Sequence, residues 1–522
     1  MARAKRNVVS AKNGATKTTF GMGGIVPLRY RPAPVDRLSV CLAASEVAPL
    51  AKTGGLGDVT AALARHLHRS GHDLRLFLPL YGTLDPRTLG AVPVDFLQDL
   101  EIRMGARRVR YRVLTAPNPG DDLALYLVEA PSLFGRPRIY DRRGDEHLRF
   151  AFFTRSVLES CQRMGWSPHI LHVNDWHTAL GPLYLKTLYR WDRLFARTRT
   201  VLTIHNIGYQ GVFPASVLPD LGLEGASAQL LAEELAARRF GFLSSGILHA
   251  DLLTTVSPTH AREIQTPEYG MGLEGLVRSR ANRLVGVLNG VDYREWDPRH
   301  DPMISFHYDR EDVTGKAKNK RVLLEGLGLP YAPEVPTLGI VSRLVHQKGI
   351  DLMLDPLPRY LERRDLRLVA LGSGESRYEN YFQWLQLRFP DKVVYYRGFE
   401  NELAHLIEAG ADLFLMPSLY EPCGLNQMYS LRYGTVPIVR KTGGLADTVE
   451  PWNPATGEGT GFVFEHATPD GLSWALEAAL AAWPDREGWR RLMANGMSRD
   501  WSWERQGPIY ADLYRRLASG AL

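Results

Sequence analysis

Cysteine is scarce in this chain. The three present, Cys41, Cys161 and Cys423, are far apart along 522 residues and odd in number, which excludes a disulfide scaffold and predicts a protein of the reducing cytoplasm. Long apolar runs are missing too. No stretch reaches the roughly 18 residues of a membrane span, and no apolar core of a secretory signal stands near the start, so no membrane partner is expected. Charge is nearly balanced, with 63 Lys+Arg against 57 Asp+Glu for a net +6, too small an excess for a nucleic-acid coat. There is no Asp-x-Asp, no His/Cys cluster of metal-ligand spacing and no Walker A, so neither a metal nor a cofactor is expected.

What is present reads as an α/β protein. Apolar residues make up 45% and charged residues 23%, ordinary values for a globular chain of about two large domains. Before residue 36 the basic side chains Arg3, Lys5, Arg6, Lys12, Lys17, Arg29 and Arg31 occur without an acid. With few serines for a transit peptide, residues 1–36 read as a flexible basic tail. From residue 38 a short β-branched or Leu-rich run repeatedly leads through a Gly/Pro/Asn loop into an amphipathic stretch, the pattern of βα units.

Strands are predicted at 38–43, 73–78, 170–173, 201–205, 252–256 and 285–288, then at 338–341, 366–371, 393–397, 413–416, 436–439 and 461–464. Most are continuously apolar, as parallel strands covered on both faces must be. Two doubly wound, Rossmann-like domains follow, at 37–293 and 294–503, with a last helix at 504–522 expected to return to the first. Ligands of such sheets bind beyond the carboxyl ends of the strands, so two facing domains form a central cleft.

The motifs fall on those loops. Lys52-Thr53-Gly54-Gly55-Leu56-Gly57-Asp58 and Lys441-Thr442-Gly443-Gly444-Leu445-Ala446-Asp447 are nearly one heptapeptide repeated. Each places glycines before a helix whose N-terminal amides favour an anion. The alternative reading is a tight turn in which glycine serves packing. Ser342-Arg343-Leu344-Val345-His346-Gln347-Lys348-Gly349 follows a strand, and Arg343 with Lys348 suits a diphosphate. With no metal motif, these two cations would carry the charge of a departing diphosphate.

Glu421-Pro422-Cys423-Gly424-Leu425 turns a carboxylate and several N–H groups one way, as sugar hydroxyls require. Cys423 reads as a small buried neighbour. In the first domain, Asn174-Asp175-Trp176-His177 and His205-Asn206 end strands where a ligand would bind; His205 is the stronger histidine, and His177 is equally well structural.

Together these stretches resemble glycosyltransferase family 5, the bacterial and plant type of glycogen and starch synthases, which have the GT-B fold. The match runs in order over about residues 38–505: KTGGLGDV at Lys52, DWHTAL at Asp175, HNIGYQG at His205, LNGVD at Leu288, SRLVHQKG at Ser342, EPCGLNQMY at Glu421 and KTGGLADTV at Lys441. The resemblance implies transfer of glucose from ADP-glucose to the non-reducing end of an α-1,4-glucan with retention, releasing ADP. It implies that Lys52, Gly54 and Gly55 contact the diphosphate or the acceptor side. Arg343 and Lys348 would neutralise the leaving phosphates, and Glu421 with the amides of Cys423, Gly424 and Leu425 would hold the glucose hydroxyls. Thr442 and Gly443 would bind the distal phosphate. His205 would offer its carbonyl to the anomeric centre, and Glu46 and Asp175 would lie near the acceptor or sugar.

Two positions depart from the pattern of related families: Tyr429 stands where a second Glu would be, and Asn426 where many members have Thr. Another nucleotide-sugar enzyme of the same fold, or a catalytically silent glucan-binding protein, are the competing readings.

Overall fold

The computed structural model describes residues 37–118, 122–141 and 143–522; the basic segment 1–36 lies outside them. Two parallel sheets carry the architecture. The first is ten-stranded, in the order Leu284–Gly286, Leu252–Thr255, Arg199–Ile204, Ile170–Asn174, Ser39–Ala43, Asp73–Pro79, Ala124–Glu129, Arg107–Pro117 and Val92–Pro93, with Leu100–Met104 joined to Arg107–Pro117. Every pairing from Leu284–Gly286 to Ala124–Glu129 is parallel. The remaining strands pair antiparallel. The second sheet runs Val393–Arg397, Arg367–Gly372, Thr337–Val341, Leu413–Met416, Val436–Arg440, Phe462–Phe464, all parallel.

The two kinds of pairing leave different marks on the sequence. Ile170–Asn174 and Leu413–Met416 are buried at every position, because helices cover both faces. Leu100–Met104 alternates buried and exposed residues, the signature of a half-solvated antiparallel strand. The two cores are separate, one around Leu42, Leu76, Val173 and Leu202, the other around Leu338, Leu368, Leu415 and Ile438.

The chain crosses between the sheets twice, side by side. Val291 N donates to Trp501 O at 2.7 Å, and Trp501 N donates to the Tyr293 hydroxyl at 2.9 Å. A Cβ on Gly290 would lie 2.7 Å from the Trp503 ring, so only glycine lets the crossings touch. Helix Trp503–Ala518 then packs on helix Gly55–Arg69 of the first sheet, where a Cβ on Gly507 would lie 2.1 Å from the His66 ring. Its Tyr514 hydroxyl hydrogen-bonds His172 Nδ1 at 2.6 Å, and His172 Nε2 meets Thr203 Oγ1 at 2.6 Å. Burial pushes His172 down to about 3, so a neutral imidazole joins this helix to the strand Arg199–Ile204, which leads into His205.

Cys41 and Cys161, 120 positions apart, face each other with their Sγ atoms 4.0 Å apart, yet all three cysteines are free and buried. No helix among the described residues is long and apolar enough to cross a membrane.

Candidate active site

Each polar cluster singled out from the sequence sits just past the carboxyl end of a parallel strand, and the two sets face each other. A Cβ on Gly55 would lie 3.7 Å from Leu425 Cδ1, and one on Gly208 would lie 3.1 Å from the Tyr420 hydroxyl. The first Lys-Thr-Gly-Gly turn is therefore opposed to the loop that carries Glu421.

On the second sheet, Lys348 Nζ donates to Glu421 Oε2 at 2.6 Å, and Ser418 Oγ donates to the same oxygen at 2.8 Å. Glu421 is only 5% exposed; a carboxylate this deep needs such partners. The geometry depends on Gly349, at φ +68°, where a Cβ would fall 2.0 Å from Pro417 O. Gln347 completes the clamp, its Nε2 donating to Tyr420 O at 3.2 Å and its carbonyl accepting Leu419 N at 2.9 Å. Arg343 is exposed. Its guanidinium takes no salt bridge among the described residues and favours ionisation of the nearby Tyr420 phenol, which burial opposes.

Helix Asn426–Tyr433 begins beside this pair with no side-chain cap, after Gly424 at φ +71°. Its first amides point where anions are favoured. Asn426 Nδ2 donates to Val341 O at 2.8 Å, tying the helix start to the strand that leads to Arg343; here the departure from Thr has a structural task. Tyr429 is buried and stacks on Trp296 at 4.0 Å, while Trp296 stacks on His405 at 3.7 Å. Position 429 thus belongs to the packing beneath the loop. Cys423 is buried and its thiol is pushed up to about 12 by burial, which leaves it inert as a nucleophile.

The two heptapeptides behave differently. In the first, Gly54 has open space around it and Lys52 pairs with Asp58 at 2.8 Å on the surface. In the second, a Cβ on Gly443 would lie 1.9 Å from Glu421 O and one on Gly444 2.1 Å from Cys423 O. The second turn is a backrest for the Glu421 loop. Thr442 and Gly443, the expected holders of a distal phosphate, donate here through Thr442 Oγ1 and Gly443 N to Glu263 Oε1 at 2.8 and 2.9 Å. A phosphate would have to expel a carboxylate of its own sign.

Glu46, expected near the acceptor or sugar, is engaged by the first turn. Its Oε2 accepts Thr53 N at 2.6 Å and Gly54 N at 3.2 Å, and its Oε1 accepts Thr53 Oγ1 and the Tyr140 hydroxyl, both at 2.7 Å. At 4% exposure it is a strut that shapes the first turn. Tyr140, which sequence reading missed, lies in a charged loop without a motif; it stacks on His177 at 4.9 Å. His177 sits among Tyr140, Phe150 and Trp176, held neutral near 3 by burial, so its role is packing.

Asp175 adopts φ +51° and its Oδ1 accepts His205 N at 2.7 Å and Asn206 N at 3.3 Å. His205 Nε2 meets Asn174 Oδ1 at 2.9 Å, and burial lowers the ring to about 3. The imidazole is neutral, and Asn174 with Asp175 fixes the backbone that follows Ile204.

Burial raises Asp175 to about 7 despite its two N–H donors, so the folded protein keeps a proton that the unfolded chain loses near pH 4. The stability this proton contributes is complete below about pH 4 and falls as pH rises to about 7. Asp175→Asn keeps an acceptor oxygen without titrating. Its melting temperature relative to wild type should rise between pH 4 and 7; a difference constant across that range would refute the assignment.

Among the described residues no group of three or more His, Cys, Asp or Glu side chains is arranged to hold a metal ion.

Comparison with known proteins follows the same division. The model described as "Starch synthase catalytic domain" matches residues 39–279, and that described as "Glycosyl transferases group 1" matches residues 330–493. Glycogen synthase of Anaeromyxobacter dehalogenans is 47% identical over 488 residues, 92% of this chain and 100% of the relative. Glycogen synthase of Streptococcus gordonii is 40% identical over 483 residues, again 92% of this chain and all of the relative. Among solved structures, the catalytic domain of starch synthase IV from Arabidopsis thaliana, bound to ADP and acarbose, aligns with a TM-score of 0.86 at 34% identity. It covers 92% of this chain and 100% of that one. Sucrose-phosphate synthase from Thermosynechococcus elongatus, with a TM-score of 0.60 at 17% identity over 93% of this chain and all of its own, shares the fold.

Proposed function

We infer the division of labour in the cleft from one premise: this chain belongs to the glycogen and starch synthase family of glycosyltransferases. It transfers glucose from ADP-glucose to the non-reducing end of an α-1,4-glucan, releases ADP, and works in the cytoplasm. The observation that carries the site assignment is the Lys348–Glu421 pair at 2.6 Å beside the uncapped start of helix Asn426–Tyr433.

In this reading Arg343 and Lys348 bind the diphosphate, joined by the amides that open that helix, since the Thr442–Gly443 turn is already taken. Ser418 and Lys348 occupy Oε2 of Glu421, leaving Oε1 for a glucose hydroxyl, with the Cys423–Leu425 backbone beside it. The first Lys-Thr-Gly-Gly turn, shaped by Glu46 and open at Gly54, closes the other side, with Lys52 free to exchange Asp58 for an anionic ligand.

The reaction breaks the bond between the anomeric carbon and the distal phosphate oxygen and forms a bond from that carbon to the acceptor's 4-hydroxyl oxygen. The hydroxyl proton passes to the departing phosphate oxygen, on the face the new bond occupies, so configuration is retained. As that bond breaks, negative charge grows on the diphosphate, where two fixed cations stabilise the transition state more than the ground state. Positive charge grows at the sugar carbon, toward which His205 would present its carbonyl. A neutral ring there adds no opposing charge.

The test is incubation with ADP-glucose labelled in the sugar, plus glycogen. Label should enter polymer with equimolar ADP, and UDP-glucose at equal concentration should label it less. ADP release without labelled polymer would overturn the reading.

A further inference from the structure

Two short helices, one from each domain, cap each other. Helix Pro258–Glu263 follows the strand Leu252–Thr255 of the first sheet, and helix Gly443–Thr448 follows Val436–Arg440 of the second. Thr259 N and Oγ1 donate to Asp447 Oδ2 and Oδ1 at 2.8 and 2.6 Å. In return, Gly443 N and Thr442 Oγ1 donate to Glu263 Oε1. Each helix start, short of intrahelical acceptors and positive in its dipole, receives a carboxylate from the other domain. Beside them Ser257 Oγ donates to Pro422 O at 2.6 Å.

The turn that Glu263 grips is the one pressed against the Glu421 loop. Gly444 N donates to Glu421 O at 3.1 Å, and Gly443 and Gly444 lie so close to the Glu421 and Cys423 carbonyls that no side chain would fit. Contacts therefore run without a gap from Glu263 through Thr442 and Gly443 to the backbone of Glu421, whose carboxylate pairs with Lys348. The carboxylate of Glu263 is suited to this task. Burial would raise it, but the nearby His260 ring and the Gly443 and Thr442 donors hold it below the usual range. His260 Nδ1 lies 3.7 Å away.

We propose that Glu263 is a positioning residue for transfer: a first-domain carboxylate that holds the Thr442–Gly443 turn and, through it, sets Glu421 and Lys348 against the donor. The proposal deepens the reading above and rests on Glu421 lying at the donor sugar.

Steady-state kinetics on the full chain test it. Glu263→Ala should lower kcat/KM for ADP-glucose by about tenfold or more while leaving KM for glycogen within about twofold. Glu263→Gln, which keeps an acceptor oxygen in place, should stay within about threefold of wild type. Thr442→Val removes the partner hydroxyl at similar volume and should show a loss of the same kind. The double variant Glu263→Ala/Thr442→Val should be no worse than the poorer single one, as expected for residues acting through one contact.

Unchanged kcat/KM in Glu263→Ala, a rise in KM for glycogen of severalfold or more, or additive losses in the double variant would each overturn the proposal. If Glu263→Ala does not fold, Thr442→Val and Glu263→Gln decide by the same criteria. A harmless Glu421→Ala would instead remove the donor-site reading, whereas a damaging Glu421→Ala with a harmless Glu263→Ala removes only this inference.

Discussion

Lys348→Ala is expected to lower turnover at least tenfold, and Glu421→Ala to do the same, each more than about 1.4 kcal/mol of transition-state stabilisation. The argument rests on depth and pairing. Glu421 is 5% exposed and its Oε2 accepts from Lys348 Nζ at 2.6 Å, so removing either partner leaves the other charge buried without its counterion. Breaking such a pair typically costs about 3–5 kcal/mol, and in the proposed site the misplaced group is also the one that meets the substrate. Lys348→Ala should show the larger fall in kcat, because in the proposed site growing charge on the leaving diphosphate loses one of its two cations. Glu421→Gln keeps the shape and an acceptor while removing the charge, and should fall between wild type and Glu421→Ala. The double variant should be no worse than the poorer single one. Rapid-quench measurement of ADP formation separates the chemical step from product release. Near wild-type turnover in both single variants would place the chemistry elsewhere in the cleft.

The sequence made most of the parallel strands legible because helices on both faces force near-continuous apolar runs; Ile170–Asn174, Arg367–Gly372 and Leu413–Met416 are examples. The same criterion passes over Leu100–Met104 and Arg107–Pro117. Their apolar residues alternate with Glu101, Arg103, Arg108, Arg110 and Arg112, because one face meets solvent. Reading for period two as well as for continuous runs would have found them. The candidate site was legible where chemistry and loop position coincide, as at Lys348 and Glu421, which the fold brings to 2.6 Å. It was not legible where a residue's work depends on a partner distant in sequence. Glu46 looks like a free carboxylate until Tyr140 is placed 2.7 Å from it. Cys41 and Cys161 look isolated until strand and helix bring them to 4.0 Å. Glu263 follows an unremarkable Ser-Pro-Thr start, and only tertiary structure sets it on a turn 180 residues later in the chain.

The repeated heptapeptide gives the sharpest case, since two nearly identical strings should respond oppositely to the same change. Gly443→Ala should abolish most activity, about a hundredfold or more, and lower the melting temperature by several degrees. Gly443 sits at φ +44°, where an L side chain costs about 1–2 kcal/mol. Its Cβ would also lie 1.9 Å from Glu421 O, a backbone atom that cannot swing aside, so the loop bearing Glu421 must move. Gly54→Ala should leave the fold intact. Gly54 is extended at φ −164° with nothing within 4 Å of the new Cβ, and the loss of unfolded-chain freedom should stabilise the protein by up to about 1 kcal/mol. Any fall in activity of Gly54→Ala must then come from a ligand occupying that open space, and should appear as a severalfold rise in KM for the substrate that enters it. Thermal melts and kinetics on the two variants, measured together, separate the outcomes. Equal destabilisation would mean that both turns serve packing, and a Gly54→Ala enzyme with unaltered KM for both substrates would remove the first turn from the binding site while leaving the second turn's role as a backrest untouched.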